Sequence, residues 1–575
     1  MMKLLRMLNP YKAGVALVVF LLLLQSLSDL FLPTLMSDIV NFGIPEGDVP
    51  YIWKIGGVML IVALLGTLCS ILVSFLSSQV TGKFARDLRS RLFRHVENFS
   101  LHEFDQVGTA SLITRTTNDI TQVQNVLLMM LRMMISAPLM FIGGLIMAIS
   151  QDAKLSVVLV VSLPILAGAI ALIAFKGLPL FKAIQKKLDR LNLVLREQLT
   201  GIRVIRSFNR TGYEKERFTE ANGDLTDTAI KVNKIMAFMM PVMMLVMNFS
   251  VIAIIWFGGL RINTGEIQVG NMMAFIQYAM QIMFSLLMVS IIFVMLPRAA
   301  ASAARINEVL TMKPELADPT VSKPAGKLHG TLEFDNVSFK YPGAEEYALK
   351  DISFTAQPGE ITAIIGGTGS GKSTLLAMIP RFYDVTEGSV RVNGMDVRDV
   401  AQQELRSKIG YVPQKAVLFT GTIADNIRYG KKDATEEEIR HAAEVAQAAE
   451  FISGMEDGYE SMISQGGSNV SGGQKQRLSI ARALVRRPEI YVFDDSFSAL
   501  DYKTDAKLRA ALVDETVNST VIIVAQRVST VRDADRILVM DEGVIVGSGT
   551  HDELLRNSEV YREIVSSQLS EEEIA

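Results

Sequence analysis

Eight consecutive residues, Gly366-Gly367-Thr368-Gly369-Ser370-Gly371-Lys372-Ser373, fit the pattern G-x-x-x-x-G-K-[ST]. In a loop of this kind backbone N–H groups wrap a polyphosphate while the lysine, Lys372, reaches its outer oxygens. Ser373, followed by Thr374, offers a hydroxyl to Mg²⁺, and Asp494 is the matching acid at the end of the apolar run Ile490-Tyr491-Val492-Phe493. The flanks agree with this chemistry. Ile361-Thr362-Ala363-Ile364-Ile365 reads as a short buried strand, and Ser373 to Ile379 reads as the start of a helix. Strand, glycine loop and helix in that order imply ATP or GTP binding.

A second glycine element, Ser471-Gly472-Gly473-Gln474, lies between the loop and the acidic strand and opens an apparent helix from Lys475 to Val485. Free N–H groups and the dipole at a helix start face an anion well. By themselves these four residues read equally as an ordinary N-cap. Together with the rest of the order, the segment from about Gly330 to Ser567 resembles the ABC transporter ATPases. In that family the Ser-Gly-Gly-Gln stretch is the signature motif, which contacts the γ-phosphate of ATP held by the other subunit. The resemblance also implies roles for Tyr341 against adenine, for Gln414 beside Mg²⁺, and for Asp501, in Ser498-Ala499-Leu500-Asp501, in a loop crossing the dimer interface. Taken alone, Tyr341 is a strand tyrosine that packs as readily as it stacks.

Three positions depart from the family. Asp495 stands where a glutamate usually polarises the attacking water; its side chain is one methylene shorter, and a misplacement of that order lowers the rate by roughly 10²-fold. Gln526 replaces the switch histidine and cannot titrate or carry charge. Gln465-Gly466 occupies the place of an exporter Glu-Arg pair. With the loop and signature intact, these changes imply a chain whose own site binds ATP and turns it over slowly. Its signature would complete the competent site of a different partner, a second half-transporter with Glu and His at these positions. A homodimer with two slow sites is the alternative.

The first 300 residues explain why the chain is 49% hydrophobic and only 20% charged. Six apolar stretches, at about 13–36, 54–80, 126–149, 155–175, 235–260 and 271–296, reach the roughly 20 residues that cross a bilayer. Residues 37–53 contain no Lys or Arg, whereas 81–125 contain six and 176–234 thirteen. This bias places the N-terminus, both basic connections and the ATPase in the cytosol, with the spans in a cell membrane. The first stretch is long and lacks a small-residue cleavage site, so it does not read as a removed signal. The single cysteine, Cys69, sits in the second span and excludes an intrachain disulfide.

Residues 104–119 and 198–208 resemble the intracellular loops of ABC exporters, whose tips dock on the ATPases. Pro314, Pro319, Pro324 and Gly326 mark a linker over 311–330, and Glu571-Glu572-Glu573 reads as a solvated tail. The implied fold is an all-α six-helix membrane domain over 1–310 of exporter type, followed over 331–570 by a cytosolic α/β P-loop ATPase with a helical subdomain.

One polypeptide supplies half of what the family needs, so a dimer is implied. Twelve of the 29 methionines fall between Met236 and Met295, a deformable wall for varied apolar guests or ordinary packing. Asp29 is the clearest ionisable residue within a span. Gln277 and Gln281, one helical turn apart, line a cavity or bridge helices. The resulting expectation is ATP-driven export of small amphipathic or hydrophobic compounds, with ATP and Mg²⁺ as cofactors and no nucleic-acid partner. Translocation of a lipid, peptide or siderophore, or a non-transporting ATP sensor, fits the same residues.

Overall fold

The computed structural model describes Leu4, residues 6–319 and residues 328–568, with the backbone alone at 174, 178 and 290–294. Pro324, Gly326 and residues 571–573 lie outside the described residues. Two compact units form: Met1–Glu97 with Thr109–Met312, and Asn98–Gly108 with Lys313–Ala575.

The first unit is helical: α1 (Lys12–Asp38), α2 (Val49–Glu97), α3 (Ile120–Gln151), α4 (Ser156–Thr200), α5 (Thr211–Ala237), α6 (Met239–Asn263) and α7 (Val269–Thr311). Among the described residues, six helical stretches are long and apolar enough to cross a membrane, and they coincide with the six apolar runs. Every spanning helix but α6 is longer than its run. At 1.5 Å per residue the 49 residues of α2 extend about 74 Å, over twice the ~30 Å of a bilayer core. The excess carries the basic residues from Lys83 to Arg94.

Small residues bring these helices together, as membrane packing requires. A Cβ on Gly143 of α3 would lie 2.3 Å from Leu30 of α1, and one on Gly144 would lie 2.8 Å from Ile282 of α7. Polar ties fix the rotation of α7 against α1. The Tyr278 hydroxyl donates to the Leu30 carbonyl at 2.8 Å and shares a 2.7 Å bond with Thr34. At the other end of α7, Arg305 donates from Nε to Asp119 at 2.8 Å. Burial alone would raise the Asp119 carboxyl, but Arg305 and Ser302 hold it below the usual range.

The second unit is α/β, with strands β1 (Leu332–Phe339), β2 (Leu349–Ala356), β3 (Ile361–Gly366), β4 (Glu387–Val392), β5 (Met395–Asp396), β6 (Ile409–Val412), β7 (Gly421–Thr422), β8 (Met462–Ile463), β9 (Ile490–Asp494), β10 (Thr520–Val524), β11 (Arg536–Asp541) and β12 (Val544–Gly549). The main sheet runs β12-β11-β3-β10-β9-β6. Its neighbours are parallel except for β12, which pairs antiparallel at the edge. Parallel strands covered on both faces are continuously apolar. Ile364, Val492 and Ile522 turn to one core with Leu375 and Leu376, while Ile365, Phe493 and Ile523 turn to the other with Leu478 and Ala481. The register sets Val524 beside both Asp494 and Ile364, and Val412 beside Phe493. The loops after β3, β6, β9 and β10 therefore leave one edge of the sheet side by side.

Residues 98–108 belong to this unit by their contacts. The short helix Leu101–Val107 is capped by Ser100 and Glu103, and Glu103 also accepts from the Glu315 N–H at 3.0 Å.

Candidate nucleotide site and membrane cavity

Gly366 ends β3, and Gly371 caps α8 (Lys372–Met378) at φ 93°. A Cβ on Gly366 would lie 2.1 Å from the Met540 carbonyl, and one on Gly371 would lie 2.8 Å from the Ala348 carbonyl in a backbone state that disfavours any side chain. The tight loop turns Lys372 inward. Its ammonium donates to the Gly366 carbonyl at 2.9 Å, the Gly367 carbonyl at 2.6 Å and Ser370 Oγ at 3.2 Å. Burial lowers the Lys372 pKa, against the opposing pull of Asp495 and Asp494.

Asp494, buried at the end of β9, accepts from Ser373 Oγ at 2.9 Å and from the Tyr411 hydroxyl at 3.4 Å. Burial lifts its carboxyl above the ordinary range; the Ser373 bond opposes this and the Asp495 charge adds to it. A carboxyl raised by folding favours the native state while protonated, and that contribution is lost as pH rises through the raised value. Ionised Asp494 therefore costs stability at neutral pH. Asp494→Asn is expected to raise the thermal midpoint of the nucleotide-free chain by about 2–4 °C, the shift that ~1 kcal/mol produces in a domain of this size, while removing ATP turnover. A lowered midpoint would count against this account.

Asp495 adopts φ 45°, a left-handed backbone. Its Oδ2 accepts from Gln414 Nε2 at 3.2 Å and from Gln526 Nε2 at 3.1 Å. Two amides thus converge on one carboxylate oxygen. Tyr341 sets its ring edge-on to Phe339 with centroids 4.9 Å apart, and its hydroxyl shares a 2.9 Å bond with Thr374.

A cleft of 770 Å³ gathers Tyr341, Thr368, Gly369, Gly371, Lys372, Ser373, Thr374, Gln414, Asp494, Asp495 and Gln526. Gly366, Gly367 and Ser370 shape the loop behind it. Glu346, Tyr347, Lys350 and Glu542 also line the cleft and have no motif that would single them out in the sequence.

Ser471, Gly472, Gly473, Gln474 and Asp501 are not part of this cleft. They cap helices elsewhere in the same unit. Helix α9 (Gly472–Leu484) starts three residues before the expected Lys475. Gln474 N–H donates to Ser471 Oγ and Ser471 N–H to Gln474 Oε1, a reciprocal cap that outweighs the poor helix propensity of two glycines. Gln476 of α9 donates to the Pro413 carbonyl at 3.3 Å. Asp501 caps α10 (Tyr502–Glu515) by accepting from Thr504 N–H at 3.0 Å. Gly466 takes φ 64°, a conformation that suits glycine and disfavours a longer side chain.

Within the first unit, a cavity of 740 Å³ brings Asp29, Gln277 and Gln281 together. Gln25, Arg132 and six methionines, Met129, Met133, Met140, Met247, Met280 and Met288, complete much of its wall. A second cavity of 540 Å³ shares Asp29, Met140, Gln277 and Gln281. Three of the lining methionines come from α3, outside the cluster at 236–295, while Met243 and Met283 of that cluster are buried in the core. Sequence reasoning passed over Arg132. Its signal was a lone arginine inside the apolar run 126–149.

The profile of the ABC transporter transmembrane region matches residues 15–286, and that of the ABC transporter matches 349–498. An uncharacterised ABC transporter ATP-binding protein of Mycobacterium tuberculosis is 46% identical over 564 residues, 97% of each chain. Another from Bacillus subtilis, YfiB, is 41% identical over 575 residues, 100% of this chain and 99% of the relative. A solved structure of a bacterial Atm1-family ABC exporter with ATP bound superposes with a TM-score of 0.80 at 25% identity, covering 98% of this chain and 99% of its own.

Proposed function

Because the chain belongs to the ABC transporters, as a multi-pass exporter half joining six membrane helices to one ATPase domain, we propose that it exports small amphipathic compounds as one half of a heterodimer. In this reading its own ATP site is the slow one. ABC ATPases bind ATP, and Tyr341, the loop 366–374 and Gln414 are the groups assigned to it here. Ser373 and Asp494 are the hard oxygen donors suited to Mg²⁺, which would neutralise charge on the transferred phosphoryl group; their 2.9 Å contact fits that pairing.

The observation that carries the slow-site reading is the Asp495 carboxylate, short by a methylene and engaged by two amides that cannot accept or release a proton at neutral pH. Gln526 orients the carboxylate and leaves charge at the site unchanged. Ser471 and Gly472, exposed outside the chain's own cleft, and the half-buried Gly473 and Gln474 are then available to the γ-phosphate held by a partner that carries Glu and His.

Inside-out vesicles containing this chain and a co-expressed partner half are expected to accumulate an amphipathic dye in an ATP-dependent manner. Asp495→Asn here should change uptake far less than removal of the partner's corresponding glutamate. Equal losses from both changes would argue for two equivalent sites, and no uptake of any compound would favour a sensor.

A further inference from the structure

Two charges of opposite sign line the 740 Å³ cavity, and they stand at different depths. Leu30 of α1 seats against Gly143 of α3, while Leu21 and Leu22 of α1 lie in the same cluster as Ile135 of α3. The two helices therefore run side by side in the same direction. Asp29 is level with about residue 142 of α3, so Arg132 lies ten residues away along the axis, about 15 Å at 1.5 Å per residue. Between them the wall consists of Met133, Ser136, Ala137 and Met140. Among the described residues neither Asp29 nor Arg132 has an ion-pair partner within the chain. An unpaired charge within a membrane span is expensive and by default functional.

At the Asp29 end, Gln281 donates its Nε2 to the Asp29 backbone carbonyl at 3.3 Å and ties α7 to α1. A protonated amine gives the carboxylate both charge and N–H donors; a quaternary ammonium gives only the charge. At the opposite end, the Arg132 guanidinium offers donors and no acceptor, which suits a carboxylate or phosphate.

We propose that this cavity binds an elongated amphiphile with a protonated, N–H-bearing amine at the Asp29 end and an anionic group at the Arg132 end. The proposal names the substrate class of the export reading above and rests on that reading for movement, though not for binding. The methionine wall accommodates the intervening chain without specifying its shape.

The test uses the full chain in nanodiscs without nucleotide, with ω-aminododecanoate as the probe and equilibrium dialysis as the readout. The N-trimethyl analogue and plain dodecanoate are each expected to bind about ten-fold more weakly or worse. Asp29→Asn should bring the amino acid down to the level of dodecanoate, and Arg132→Gln should bring it down to that of dodecylamine. Retained ATP binding by each variant shows that it has folded. If the trimethyl analogue binds as tightly as the amine, if Asp29→Asn and Arg132→Gln leave binding unchanged, or if no probe binds, the proposal is overturned. The expected binding pattern without ATP-driven uptake in inside-out vesicles would keep the site and overturn the export reading instead.

Discussion

Reconstituted alone, a chain carrying Asp495→Glu and Gln526→His together is expected to hydrolyse ATP about 10²-fold faster than the unaltered chain. The reasoning is geometric. Asp495 leaves β9 in a left-handed backbone conformation and spends one oxygen on Gln414 and Gln526. A glutamate reaches one methylene further, to where a water would stand against the γ-phosphate, and a histidine supplies the charge that glutamine lacks. The phosphate loop and the Ser471 cap are already formed, so no other part has to be rebuilt. Steady-state phosphate release measures the effect. Turnover that is already brisk in the unaltered chain and falls with Asp495→Asn would remove the slow-site assignment.

Lys372→Ala is expected to weaken ATP binding by about 10²-fold or more, measured with a fluorescent nucleotide in the same preparation. Removing one member of a buried, hydrogen-bonded charge arrangement costs on the order of 2–5 kcal/mol. Without nucleotide, the Lys372 ammonium holds two loop carbonyls and Ser370 Oγ. The alanine variant thus loses both the cation expected to meet the phosphates and the contacts that keep the loop in shape. Lys372→Arg should not restore binding, because a planar fork cannot reproduce the three contacts that the compact ammonium makes in this loop. Unchanged affinity in Lys372→Ala would move the nucleotide away from this cleft.

Much of the ATPase half was legible because its chemistry is written in backbone constraints. Gly366 and Gly371 are glycines for steric reasons that hold wherever such a loop forms, and the strand runs around them are unbroken because both faces are covered. The six spans were legible from length and polarity alone. Rotation about a helix axis was not. Whether Arg132, Gln25 or Met129 faces a cavity or lipid depends on which side of α3 or α1 meets its neighbours, and that is set by notches such as Gly143 and Gly144 rather than by local periodicity. The helix start at Gly472 was misplaced for a related reason. Propensity disfavours two glycines, and the reciprocal Ser471–Gln474 cap decides the matter through hydrogen bonds that a residue count does not register. The grouping of residues 98–108 with the second unit is likewise a matter of long-range contacts such as Glu103 with Glu315.

The hydrogen bond from Gln476 to the Pro413 carbonyl ties the helix that begins at Ser471 to the residue next to Gln414. Asp495, Gln414, Pro413 and Gln476 form an unbroken line of hydrogen bonds and backbone from the cleft to the helix that Ser471 caps. On the proposed reading, nucleotide arriving here would exchange partners at Gln414 and pull on that line whether or not it is hydrolysed. If the pocket holds its fuel for a long time, as proposed, it would act as a timer whose dwell sets how long the Ser471 cap stays in position for a partner.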